Sequence, residues 1–293
     1  AGDFIELVSR SSDAAFADKC YKQTEDIDLT ENWAFAPLGP SEDLSFKGTY
    51  DGNGHRLKGV NYVNAEDAPA GLFRYTDGAV IKNLKLESFQ IKSPAMFLGG
   101  FAGYAVNTTF ENCAFTGGSL RSDVKKTWNE YSNVTTDANN FAVMGGIAAY
   151  AQGCIFDGCS FLGSMSCQGK VAGGIAGYAD DSDITDSRLE KGSEVYVKYH
   201  CAGGIAGALT GDSNIRDCSS EGYLSCFRWG GGIVGYHQSG TVERCVVGAN
   251  ASVNGREENI GGVSGALQPK DGETAVIDRC TVYSDVMGKY NVG

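Results

Sequence analysis

Proline and histidine are scarce in this sequence, with 5 and 3 among 293 residues. So little proline excludes a proline-rich disordered chain, and the 42% of hydrophobic residues is enough for a core. No run of about 18 apolar residues occurs, so we expect no segment that inserts into a membrane. The net charge of −12 argues against nucleic acid as a partner.

Common catalytic and metal-binding signatures are also missing. The three histidines belong to no HExxH zinc motif, and the ten cysteines form no C-x-x-C pair. The turn "TYDGNGHRLKG" from Thr49 lacks the ligand spacing of an EF-hand, which favours a structural turn. We therefore predict no cofactor, and weak calcium binding at Asp180, Asp181 and Asp183 is the alternative to a solvated acidic surface.

Glycine, by contrast, is abundant and recurs in one motif. The chain has 41 glycines, about twice the usual share. The motif takes the forms "GGFAGYA", "GGIAAYA", "GGIAGYA", "GGIAGAL", "GGIVGYH" and "GGVSGAL", with second glycines at 100, 146, 174, 204, 232 and 262. The intervals are 46, 28, 30, 28 and 30 residues, and a degenerate copy precedes them at Gly71. Such a period indicates stacked structural repeats.

Each glycine motif is followed by a segment whose apolar residues alternate. Examples are "FENCAF" at Phe110 and "IDRCTV" at Ile277, and a third short segment such as "EVYVKY" at Glu194 follows. This two-residue period predicts strands. Three short strands per repeat predict an all-β fold, a right-handed parallel β-helix (solenoid) of about seven to eight coils. Its interior column is predicted to hold Ile147, Ile175, Ile205, Ile233 and Val263. Leucine-rich and propeller repeats do not match this pattern.

Two of the repeats carry a family resemblance. "GGIAGYADDSDITDS" from Gly173 and "GGIVGYHQSGTVERCVVGANASV" from Gly231 resemble the GLUG-motif repeats of bacterial surface and secreted proteins. "DIDLTENWAFAPLG" from Asp26 resembles the first coils of such domains, so the resemblance covers about residues 20–293. It implies a β-helix, an extracellular or outer cell-surface location in a bacterium, and an adhesin-like role with a host or bacterial surface glycan or protein as partner. Peptidase activity, which accompanies some GLUG proteins, is not implied because no HExxH motif is present.

The two ends of the chain differ in pattern. We predict an N-terminal cap and leading strand over residues 1–45, and one continuous β-helix domain over 46–293. The segment "SSDAAFADKCYK" from Ser11 has helical spacing, with Ser12 or Asp13 as N-cap, and predicts a short capping helix. The final "KYNVG" aligns with the start of a repeat at Gly261. We expect the natural chain to continue, or the end coil to associate end to end with a second copy.

Five cysteines fall in one column of the repeat. Leu84 and Ser187 take the same place in other repeats, which is typical of a small buried slot. We predict reduced, buried thiols, and a disulfide between Cys218 and Cys245 is the alternative. The column holds Cys113, Cys159, Cys218, Cys245 and Cys280.

The 46-residue interval inserts about 17 residues into one repeat, and long loops on rigid scaffolds often carry binding. We predict that Trp128, Tyr131, Lys125 and Lys126 contact a ligand, and a loop that only covers the rod is the alternative. The repeated tyrosines form a rival platform, although their packing inward or between coils is favoured. They are Tyr104, Tyr150, Tyr178 and Tyr236.

Two functional hypotheses follow. The first is a non-enzymatic, adhesin-like β-helix that binds a glycan or a protein. The second is a carbohydrate-active enzyme, a polysaccharide lyase or glycoside hydrolase, which needs two carboxyl groups about 5 to 9.5 Å apart. Asp157 and Asp186 lie near each other in the repeat but are offset by one place, which favours the first hypothesis.

Overall fold

The computed structural model describes residues 2–31, 35–123 and 142–293. Its strands pair in parallel with the strands of the next coil, usually 28 to 31 residues away, as Phe156 does with Ile184 and Ile184 with Ile215. They form four sheets around one apolar core, which we number in the order in which each coil passes through them. The predicted parallel β-helix of about eight coils is confirmed.

The sheets are made of short strands with the following bounds. Sheet 1 contains Cys20–Lys22, Thr49–Asp51, Val80–Lys82, Thr109–Glu111, Ile155–Asp157, Asp183–Thr185, Asn214–Arg216, Gly240–Glu243 and Ala275–Asp278. Sheet 2 has two rows of strands. The first row contains Ile27–Asp28, Arg56–Lys58, Lys85–Glu87, Ala114–Ser122, Ser160–Cys167, Arg188–Leu189, Ser219–Ser220, Val246–Val247 and Thr281–Val282. The second row contains Asn61–Val63, Gln90–Ser93, Glu194–Val197, Tyr223–Cys226, Ser252–Gly255 and Asp285–Met287.

The glycine motif supplies the other two sheets. Sheet 3 contains Phe97–Gly99, Val143–Gly145, Val171–Gly173, Cys201–Gly203, Gly230–Gly231, Glu258–Gly261 and Tyr290–Val292. Sheet 4 contains Phe73–Asp77, Ala102–Val106, Ala148–Gln152, Ala176–Asp180, Ala206–Thr210, Val234–His237 and Ser264–Leu267.

The prediction of three strands per coil is wrong, because the glycine motif is not a single strand. It ends a strand of sheet 3, turns a corner and begins a strand of sheet 4. At Gly203 a Cβ atom would lie 1.8 Å from the carbonyl oxygen of Ala206, so the corner is too tight for any side chain. At Gly207 a Cβ atom would lie 2.6 Å from the Val171 side chain of sheet 3. The glycines therefore allow sheets 3 and 4 to approach closely at this corner.

The predicted interior column is confirmed. Ile147, Ile175, Ile205 and Ile233 are fully buried, and Val263 in the last full copy is half-buried against the same core. Each isoleucine N–H donates to the carbonyl of the equivalent residue in the next coil at 2.9 Å. Aromatic side chains stack in the same way, so identical residues in successive coils support each other. The interior rings of Phe110 and Phe156 lie 5.1 Å apart and nearly parallel.

The N-terminal cap contains two helices, α1 over Gly2–Ser9 and α2 over Ala14–Ala17. The predicted capping helix is α2, and the side chain of Asp13 accepts a hydrogen bond from the N–H of Ala15 at 2.9 Å as its N-cap. Helix α1 was not predicted, although Phe4 and Val8 are spaced by four residues. Both side chains are buried against the core, so α1 covers the first coil.

The cysteine column is buried as predicted, except that Cys280 in the last coil is half-buried. All ten cysteines are free thiols, including Cys218 and Cys245. Ser187 takes the place of a cysteine in the intervening coil, and its hydroxyl accepts a hydrogen bond from the N–H of Cys159 at 3.0 Å. The slot therefore accepts either a thiol or a hydroxyl.

The last coil exposes apolar side chains at one end of the rod. Ile277 and Val282 are 41% and 37% exposed, whereas Val242 and Val247, their partners in the preceding coil, are fully buried. End-to-end association through this coil stays a prediction. Among the described residues, no helix has both the length and the apolar character needed to cross a membrane.

Candidate functional site: a tyrosine groove

The predicted ligand-binding residues Trp128, Tyr131, Lys125 and Lys126 lie outside the described residues. The chain that follows this segment forms a strand of sheet 3. The N–H of Val143 donates to the carbonyl of Met96 at 2.6 Å, and Val143 begins a strand of sheet 3. The strand that begins at Val143 pairs with the strand that begins at Phe97, at the corner between sheets 3 and 4.

A groove runs along this corner, on the outside of the rod. It has a volume of about 350 Å³, and we call it the tyrosine groove. The aromatic wall comes from sheet 4, because equivalent tyrosines occupy one register position in successive coils. Phe97 of sheet 3 forms the facing wall, with its ring 5.5 Å from the rings of Tyr104 and Tyr150. The groove is lined by Glu42, Asp67, Pro69, Tyr75, Met96, Phe97, Tyr104 and Tyr150.

The tyrosine column therefore packs between coils, as favoured, but on the outer surface. The rings of Tyr104 and Tyr150 stack 4.8 Å apart at an angle of 10°, and those of Tyr150 and Tyr178 stack 5.5 Å apart at 12°. Because their faces cover each other, the rings present edges and hydroxyls to the groove. The stacking makes this wall rigid, which reduces the entropy lost when a ligand binds.

The hydroxyls of this wall are available to a ligand. Within the described part of the chain, no hydrogen bond engages the hydroxyl of Tyr75, Tyr104 or Tyr150. Burial raises the pKa of Tyr104, and the neighbouring Glu42 and Asp180 carboxylates raise it further. Burial likewise raises the pKa of Tyr150. The hydroxyls therefore remain protonated at neutral pH and can both donate and accept hydrogen bonds.

At the far end the column is more enclosed. Tyr236 is buried, with its ring stacked 5.3 Å from Trp229. Tyr178 is half-buried against a separate apolar cluster on the outer corner. Ala208 interrupts the column between them. The accessible part of the tyrosine wall is therefore Tyr75, Tyr104 and Tyr150.

The acidic turns considered for calcium hold neighbouring coils together. Asp180 accepts a hydrogen bond from the Thr210 hydroxyl at 2.7 Å, and Asp183 accepts one from the Asn214 amide at 2.9 Å. Asp51, in the turn from Thr49, accepts from Asn83 of the next coil at 3.1 Å and from the N–H of Asn53. These hydrogen bonds give Asp51 a structural role in the turn. In the described ranges, no cluster of three or more His, Cys, Asp or Glu side chains is arranged to hold a metal ion.

The carboxylate pair considered for catalysis is offset as the alignment predicts. Asp157 lies opposite Thr185, and its carboxylate accepts a hydrogen bond from the Thr185 hydroxyl at 3.1 Å. Asp186 lies one position further on, in a turn with φ of 48°. Asp157 thus has a structural partner in the next coil, and the groove is built from other residues.

Comparisons with known proteins agree with this architecture. The model of the GLUG motif matches residues 198–223, so this stretch carries the motif, and the resemblance noted from the sequence is confirmed there. A crystal structure of a "putative immunoglobulin A1 protease" from Bacteroides ovatus is similar in fold. It is 18% identical, with a TM-score of 0.63, over 90% of this chain and 78% of that one. The search of curated proteins found no match.

These observations define the class of protein. The chain is a parallel β-helix that carries the GLUG motif and has an aromatic groove on its surface. At 18% identity, the likeness to the Bacteroides ovatus protein shows the fold alone.

Proposed function

We propose that this protein is a non-enzymatic, adhesin-like β-helix, displayed on or secreted from a bacterial cell, which binds a surface glycan or protein in the tyrosine groove. The observation that carries the proposal is the rigid wall of Tyr75, Tyr104 and Tyr150. Free hydroxyls beside apolar Phe97 and Met96 suit an amphipathic ligand, such as a sugar with its C–H and O–H faces or an extended peptide. The eight buried cysteines do not oppose export, because buried thiols are inert to oxidants, whereas Cys20 is exposed and Cys280 is half-buried.

Binding in the tyrosine groove is tested by replacing the tyrosines of its wall with alanine. A glycan array and a displayed peptide library would first identify a ligand. We expect Tyr104→Ala and Tyr150→Ala each to lower affinity at least about tenfold, because each removes a ring that also supports its neighbour. Tyr223→Ala is the matched control, since Tyr223 is 48% exposed on sheet 2 and away from the groove. An equal loss in the control, or no loss in the groove variants, would contradict the proposal.

The insertion provides a second prediction. Because Val143, which follows the insertion in sequence, pairs with the groove residue Phe97, we propose that Trp128 and Tyr131 contribute to the same binding event, with Lys125 and Lys126 as further contacts. We expect Trp128→Ala and Tyr131→Ala to weaken the ligand selected above by about three- to tenfold. Titration calorimetry would measure this. Unchanged affinity in both variants would remove the insertion from the site.

A carbohydrate-active enzyme is the second candidate. Glu42 and Asp67 both line the groove, so its lining includes two carboxyl groups. The same polysaccharides should therefore be screened for newly formed reducing ends and for unsaturated products. Turnover that Glu42→Gln or Asp67→Asn abolishes would favour the enzyme over the binding protein.

A further inference from the structure

Cations recur at the corner between sheets 2 and 3 in four successive coils. Lys198, Arg228, Arg256 and Lys289 each lie one or two residues after a second-row strand of sheet 2. We call this group the basic corner. The local concentration of positive charge contrasts with the whole chain, which has a net charge of −12. We propose that the basic corner binds a linear anionic glycan, one that carries sulfate or carboxylate groups, along the axis of the rod.

Contacts with the backbone and with aromatic rings hold the Arg256 side chain at the basic corner in a defined position. Its Nη2 atom donates to the carbonyl of Lys198 at 2.6 Å, in the coil two turns before it. The guanidinium lies 5.6 Å from the ring centres of both Tyr196 and Phe227. Backbone and aromatic contacts thus orient the group, and cation–π contact reduces the cost of holding it in place.

The neighbouring cations are held in a similar way. The Lys198 ammonium lies 4.9 Å from the ring centre of Tyr199, and the Arg228 guanidinium lies 5.4 Å from that of Phe227. Aromatic side chains next to fixed cations also offer surface to the apolar faces of sugar rings.

The charge at the corner is only partly balanced by acids. Arg228 lies 3.9 Å from Glu258, and Lys289 lies 3.4 Å from Glu257. Across the described ranges, no carboxylate forms an ion pair with Lys198 or Arg256. The corner therefore carries excess positive charge, which favours an anionic partner over a neutral or cationic one.

The repeat also favours a polymer over a single anion. Neighbouring coils of a β-helix lie about 4.8 Å apart, so the four cations extend over about 14 Å along the rod. A chain with regularly spaced anionic groups can contact several of them at once, and each further contact adds to the affinity. The corner is on the other side of sheet 3 from the tyrosine groove, so this proposal does not rest on binding in the groove.

The test uses a heparin-derived octasaccharide, with a neutral dextran octasaccharide and inorganic sulfate as comparison ligands. We expect the octasaccharide to bind the wild-type protein, more weakly as salt is raised, and dextran not to bind. Lys198→Glu and Arg256→Glu should each lower its affinity at least about tenfold. Lys85→Glu is the matched control, because Lys85 is exposed on the first row of sheet 2 and the change in net charge is the same. It should change affinity less than about twofold.

Each other outcome would overturn the proposal. No binding of the octasaccharide, or an equal loss in Lys85→Glu, would show that the corner is not a specific site. Sulfate that binds as tightly as the octasaccharide would show a single-anion site and exclude the polymer. If Arg256→Glu does not fold, Lys198→Glu carries the test, because the Lys198 side chain is exposed and its replacement should leave the thermal unfolding midpoint unchanged.

Discussion

Raising the pH from 7 to 10 should lower the free energy of unfolding by about 1 to 2 kcal/mol for each thiol whose pKa burial raises to about 12. Burial raises the pKa of Cys154, Cys167 and Cys226 to about 12. It also raises the pKa of Cys113, Cys201 and Cys218. The unfolded thiols ionise near pH 8.5, so the unfolded state releases protons that the folded state keeps. The stabilisation is thus complete below about pH 8.5 and is lost as the pH rises toward the folded-state pKa.

Because Cys154, Cys167 and Cys226 act together, their combined loss at pH 10 is about 3 to 6 kcal/mol, a large share of the stability of many domains. Urea unfolding at pH 7, 8.5 and 10 with a reducing agent present would measure it. Cys154→Ser is the matched variant, because Ser182 and Ser213 take the same place in the next two coils and their hydroxyls donate to nearby carbonyls. Its unfolding should depend less on pH, by the contribution of one thiol.

The same thiols provide a direct check. Thiol titration without denaturant should detect the exposed Cys20 and the half-buried Cys280 but not the buried cysteines. A stability that does not change between pH 7 and 10, or column cysteines that are already oxidised before denaturant is added, would contradict this account.

Replacing the corner glycine of a central coil should be the most damaging single substitution. In Gly203→Ala the new Cβ atom would lie 1.8 Å from the carbonyl oxygen of Ala206, which is backbone and cannot move aside. The same contact recurs at Gly145 and Gly231, so shifting one coil would disturb its neighbours. We expect a loss of about 3 kcal/mol or more, and a thermal midpoint lower by about 10 °C.

Gly78→Asn is the control for this prediction. A Cβ atom at Gly78 meets no atom within 4 Å, and Asn107 occupies the same turn position in the next coil with φ of 47°. The loss of stability should therefore be below about 1 kcal/mol, because asparagine tolerates the left-handed conformation. If Gly203→Ala were as stable as Gly78→Asn, the corner would not depend on glycine.

The features that repeat along the chain were predictable from the sequence. A residue that recurs at a fixed spacing must occupy the same place in each coil, so the isoleucine and cysteine columns followed from alignment alone. The division of the glycine motif into two sheets did not follow. Two adjacent glycines in an apolar segment are compatible with a bent strand or with a corner. Only the structure shows that a Cβ atom at position 203 would collide with the carbonyl oxygen of Ala206.

The candidate site was only partly predictable. The sequence shows the tyrosines as one column of the repeat. It does not show whether their side chains point inward or outward, because the alternation of inward and outward side chains breaks down at the glycine corner. The facing Phe97 comes from a different strand, and nothing in the spacing of the motif connects it to Tyr104. Helix α1 was missed because a segment of eight residues gives a weak periodic signal.

The central claim is that the tyrosine groove is the binding site of this β-helix. A crystal structure of the protein with the tightest ligand from the glycan array or peptide library would test it most directly. We predict that the ligand lies in the corner between sheets 3 and 4, within hydrogen-bond distance of the Tyr104 or Tyr150 hydroxyl and in contact with Phe97. A ligand bound elsewhere on the rod, with the groove empty, would contradict the claim.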